Sequence, residues 1–177
     1  NSITLGYYIS ITIILFIVSL EYNLFIDFKF LNVILSILSA IFLVNFFGKA
    51  YIGDSGSYLI SFIFGVFLIK FYIQNPLISP YFIMCLLWYP AFENLFSIIR
   101  KQINKISFQT ADNKHLHQYL YKFFQKKFNF KKEIINSLTG NLIVFYNLIY
   151  FYFIKSYYQN TKILLFSAII NISVYVI

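Results

Sequence analysis

Asn1 to Leu20 and Phe30 to Gly48 contain no charged side chain. A run of roughly 20 apolar residues is what a helix needs to cross the hydrocarbon core of a bilayer. There each backbone N–H and C=O must be satisfied within the chain. Ser57 to Ile73 gives a third such run, interrupted only by Lys70, which can snorkel from a helix end. Tyr81 to Ile99 gives a fourth, broken by Pro90 and carrying Glu93; Ile134 to Ile154 gives a fifth; a short final stretch follows Lys162 to Ile177. The expected fold is an all-α polytopic membrane protein, one transmembrane domain over residues 1–177 with about six spanning helices and a cytoplasmic amphipathic helix.

Composition supports that class. Charged residues make up 11% of the 177, against about a quarter in soluble domains, too few to cover a water-soluble globule. One cysteine, Cys85, excludes a disulfide scaffold. The net charge of +8 invites a nucleic-acid reading, but its placement argues otherwise. Arg100 to Glu133 holds nine basic and two acidic residues, +7 of the total, in one polar segment between apolar ones. That arrangement reads as a cytoplasmic loop facing anionic lipid or an anionic substrate, with no nucleic-acid partner. The connections at about 49–56 and 100–133 fall on the same side and hold ten basic residues against four on the other. The positive-inside rule places both loops and both chain ends in the cytoplasm.

Three polar groupings could carry chemistry. The first connection runs Asn45-Phe-Phe-Gly48-Lys-Ala-Tyr51-Ile-Gly53-Asp54-Ser55-Gly56-Ser57, an aspartate between glycines. Gly53 and Gly56 permit turns and close backbone approach. Ser57 is a candidate cap for the following helix. Asp54 suits a hydrated divalent cation bridging phosphates, or else the segment is only a turn with a helix cap. The second grouping is Asp112-Asn-Lys-His115-Leu-His117, with Asp112 as a candidate N-cap of a helix to about Lys127. Leu116, Tyr119, Leu120, Phe123 and Phe124 give that helix an apolar stripe suited to a membrane surface. Residues i and i+2 point about 200° apart on a helix, so His115 and His117 share a ligand only if the first turn is irregular. Otherwise they are incidental to a polar helix start. The third is Glu93, Ser97 and Arg100 at i, i+4 and i+7. An intramembrane carboxylate is a functional candidate by default, the alternative being a buried structural glutamate.

Together these segments resemble the polyprenyl-phosphate N-acetylhexosamine-1-phosphate transferases of bacterial membranes, glycosyltransferase family 4. The resemblance covers residue 1 to about residue 127 and the C-terminal part of such an enzyme. Gly53-Asp54-Ser55-Gly56-Ser57 is similar to the family's Gly-Asp-x-Gly-Ser loop, and Asp112-Asn-Lys-His115-Leu-His117 to its Asp-x-x-His-[Leu/Ile]-His motif. Asn1-Ser-Ile-Thr-Leu-Gly6 looks like the end of the family's Asn-x-x-Asp-Gly-x-[Asp/Asn]-Gly-Leu stretch, and Glu93 stands where many members have Asp.

The resemblance implies transfer of a sugar 1-phosphate from a UDP-N-acetylhexosamine to polyprenyl phosphate, with release of UMP. The enzyme would sit in the bacterial inner membrane with its site facing the cytoplasm. It implies Mg²⁺, with Mn²⁺ as the alternative ion, on Asp54. It also implies catalytic roles for Asp54, His115 and His117, and substrate contacts from Asn45, Gly53, Ser57, Glu93, Arg100 and Asp112. The family's upstream Asp-Asp pair is not in these residues, which start with Asn. The expectation is a C-terminal portion that is inactive by itself. The competing class is a non-catalytic or degenerate polytopic membrane protein.

Overall fold

A computed structural model describes residues 2–46, 49–105, 107 and 115–176. Every element among them is helical. The elements are α1 (Ser2–Tyr22), α2 (Phe28–Phe46), α3 (Gly53–Gln74), α4 (Pro80–Leu86), α5 (Trp88–Ile103), α6 (Leu116–Lys127), α7 (Lys132–Ile154) and α8 (Thr161–Val176), with a 3₁₀ turn at Lys155–Tyr157. α1, α2, α3 and α7 are each long and apolar enough to cross a membrane. α4 and α5 pass that test only together, and they bend by 71°. α8, at 16 residues, spans about 24 Å, short of a ~30 Å hydrocarbon core.

α1 is the central helix. Leu5, Ile11, Ile14, Leu15 and Val18 are fully buried, and α1 packs on both α2 and α7. In contrast α2 and α3 expose Val33, Ile37, Leu43, Tyr58, Phe62 and Ile69, apolar side chains that in water would be a liability and in lipid are matched to their solvent.

The bend lies where the sequence placed Pro90. Proline cannot donate to the carbonyl four residues back, and its ring crowds that carbonyl. The carbonyl is Leu86 O, and the Tyr7 hydroxyl donates to it at 2.8 Å in a buried contact. Two residues on, the Trp88 side chain donates from Nε1 to Asn147 Oδ1 of α7 at 2.9 Å. The freed carbonyl is therefore satisfied from α1, as broken backbone in an apolar setting requires, and the Trp88 side chain ties the start of α5 to α7.

The connections gather at two ends of the bundle. At one end Phe25 N–H donates to Asn75 Oδ1 and Asn75 Nδ2 donates back to Phe25 O, at 2.8 and 2.9 Å. Ser79 N–H donates to Tyr158 O there, and Lys155 pairs with Glu21. Lys155 is buried, although the sequence marked it only as one of four basic residues on the outer side. The opposite end holds the starts of α1, α6 and α7 and the first half of α5.

Two sequence expectations change. Gly53 to Gly56 are not a loop: α3 begins at Gly53, which takes φ +66°, and Ile52 holds the N-cap position without a side-chain bond. Ser57 does not cap the helix, because it lies inside the first turns and its Oγ donates back to Gly53 O at 2.9 Å. A Cβ at Gly56 would stand 2.0 Å from Ile52 Cγ2, so it is close packing inside a helix that demands this glycine. α6 starts at Leu116 with His115 at its N-cap; Asp112, expected in that role, lies outside the described residues.

A candidate polar site at one end of the bundle

Glu93 projects from α5 with a side chain that is 11% exposed. Its Oε1 accepts from His115 Nδ1 at 2.9 Å and from the Leu116 backbone N–H at 3.1 Å. The second bond satisfies one of the orphan N–H groups of the α6 first turn, so Glu93 caps α6 from a different helix. Gln118 completes the helix start, its Oε1 accepting from His115 N–H at 3.2 Å. Glu93 Oε2 is buried and has no hydrogen-bond partner among the described residues. The hydroxyls of Tyr89 and Tyr175 lie beside the same carboxylate.

His115 is extended, at φ −80° and ψ 152°, rather than helical. That departure brings its ring alongside His117, with centroids 5.6 Å apart and planes within 9° of parallel. A regular helix would have turned the two apart. With a carboxylate accepting at Nδ1, that nitrogen of His115 carries the proton, and Nε2 is the nitrogen turned from Glu93. Burial lowers the pKa of His117; the Glu93 charge works against this and the neighbouring His115 works with it.

Glu93 and His117 also line a cavity of about 340 Å³ with Ile3 and Thr4 of α1, Tyr89, Pro90 and Asn94 of α5, and Asn136, Thr139 and Gly140 of α7. Sequence reasoning missed Asn94, Asn136 and Thr139. The signal was present for the last two, because Asn136, Thr139 and Gly140 form a polar and small stripe at i, i+3 and i+4 on an apolar helix.

The other expected site residues are distributed around this group. Asn45 is buried and its Nδ2 donates to Ala50 O at 2.9 Å, which closes the connection from α2 to α3. Asp54 is in the first turn of α3 with its side chain exposed. Arg100 stacks over the Phe96 ring at 5.4 Å, two turns beyond Glu93 on α5. Among the described residues no three His, Cys, Asp or Glu side chains converge on a shared metal position.

Fold and site define a helical protein with four apolar helices of membrane-crossing length, or five with the bent pair, and a carboxylate–histidine group at one end. No protein-family model, no curated protein and no solved structure matches the chain.

Proposed function

We propose that this chain is part of a polyprenyl-phosphate sugar-1-phosphate transferase of the inner membrane, with Asp54 and His115 at the cytoplasmic face. The observation that carries the reading is the Glu93–His115–His117 group, in which an extended N-cap sets the rings of two histidines two residues apart side by side. Tyr8, near the start of α1, donates to Ser61 in the third turn of α3 at 2.9 Å, which sets the start of α3, with Asp54, toward the same end.

The chemistry is a charge problem. The lipid phosphate must approach the β-phosphorus of a UDP-sugar, and the two anions repel unless fixed positive groups meet the charge that develops. Asp54 would hold Mg²⁺, which when bound neutralises the diphosphate. His115, its Nδ1 fixed by Glu93, directs Nε2–H at a phosphate oxygen when protonated. Arg100 and Lys101, near the end of α5, attract anionic head groups toward the site. The phosphate of the lipid supplies the nucleophilic oxygen, the β-phosphorus bond to the UMP oxygen breaks, and UMP leaves with that electron pair.

Asp54→Asn tests this reading. In membranes carrying the chain with any coding sequence upstream of Asn1, Mg²⁺-dependent UMP release from UDP-N-acetylglucosamine should fall about 100–1,000-fold, the worth of a lost transition-state charge contact. Release within a few-fold of the parent would make Asp54 a helix-start residue only.

A further inference from the structure

We propose that the cavity between α1, α5 and α7 binds an uncharged ring bearing hydroxyl and amide groups, and that Asn94, Asn136 and Thr139 determine which ring it accepts. Resting on the transferase reading, that ring is the N-acetylhexosamine of the sugar nucleotide, and the diphosphate lies outside the cavity.

The wall chemistry selects against an anion. Glu93 is the one carboxylate lining the cavity, and among the described residues neither lysine nor arginine lines it. A phosphate there would face a carboxylate in a partly buried setting, where like charges repel far more strongly than in water. His117 does not offset this, because burial favours its neutral form.

The same wall suits neutral donors and acceptors. Asn94 and Asn136 are exposed at the mouth, and each amide offers a donor and an acceptor. Thr139 is buried with its hydroxyl hydrogen committed to Ile135 O at 2.8 Å, so toward the cavity its oxygen can only accept. Tyr89 and Pro90 supply an apolar side for the C–H face of a ring.

Equilibrium binding of UDP and of UDP-N-acetylglucosamine to Asn136→Leu and Thr139→Val membranes tests the assignment. Asn136 is exposed, so its replacement does not threaten the fold. UDP-N-acetylglucosamine affinity should fall about tenfold in each variant, the value of one hydrogen bond, with UDP affinity unchanged. As a second readout, Asn136→Cys in a Cys85→Ser background should be protected from maleimide by UDP-N-acetylglucosamine and not by UDP. Equal losses for both ligands, or equal protection, would put the nucleotide or diphosphate in the cavity and overturn the proposal. Unchanged affinities in the variants, with no protection, would also overturn it while leaving the transferase reading intact. Failure of the parent to bind either ligand would instead defeat the transferase reading, and this inference with it.

Discussion

Glu93 and His115 are 22 residues apart in sequence, yet one carboxylate oxygen fixes both the ring of His115 and the start of the helix behind it. The two functions are separable by substitution. Glu93→Ala removes the acceptor and should cost the α6 start ~1 kcal/mol, about fivefold faster hydrogen exchange at the Leu116 to Tyr119 amides. Glu93→Gln keeps an oxygen for Leu116 N–H and should exchange like the parent. Parent-like exchange in Glu93→Ala would show that α6 does not depend on this cap.

The lowered pKa of His117 makes stability depend on pH. The unfolded chain takes up this proton near 6.5, and the folded chain resists it until a lower pH. Its contribution is therefore complete above about 6.5 and is lost as pH falls through the folded value. Thermal midpoints in detergent should drop between pH 7.5 and 5.5, and His117→Gln should flatten that drop. An equal drop in both proteins would mean that His117 is no more protected than in the unfolded chain.

Tyr7→Phe deletes the hydroxyl that meets Leu86 O at the proline break. A buried carbonyl left without a partner costs about 1–3 kcal/mol. Resistance to denaturation in detergent should fall by that amount, and Tyr8→Phe, which loses a part-buried bond to Ser61, should cost less. No difference between the two would mean that the break is satisfied by another group.

Much of this architecture is visible in the chain itself. The uncharged runs locate α1, α2, α3 and α7 to within a few residues, and Pro90 marks the region where α4 and α5 part. The Glu93 stripe and the histidine pair are legible because polar groups on apolar helices stand out. Their meeting is not, since it depends on His115 staying extended, a choice made by the Glu93 acceptor on another helix. The contacts of Tyr7 with Leu86 and of Trp88 with Asn147, 79 and 59 residues apart, leave no local signature. Lys155 carries the same lesson: its basic side chain reads as exposed, and only the packing brings Glu21 and the Tyr152 ring to it.

The proposed sidedness rests on the ten-to-four bias of basic residues between the two sets of connections. Ser55, Lys122 and Asn160 are exposed, and Cys85, the single native cysteine, is buried and is changed to serine in the background. Cysteines at positions 55 and 122 should react with an impermeant maleimide only in inverted vesicles, and one at position 160 only in whole cells. Reaction of position 55 from outside would reverse the orientation.

In the proposed reaction a sugar moves together with its phosphate. UDP-N-acetylglucosamine labelled with ³²P at the β-phosphate and ¹⁴C in the sugar separates this from every alternative. Membranes carrying the protein, with any coding sequence upstream of Asn1, are given polyprenyl phosphate and Mg²⁺, and the lipid fraction is counted for both isotopes. The account predicts that both labels enter the lipid in equal molar amounts as unlabelled UMP appears. Sugar label in the lipid with the ³²P left in UDP, or no labelled lipid at all, would contradict it.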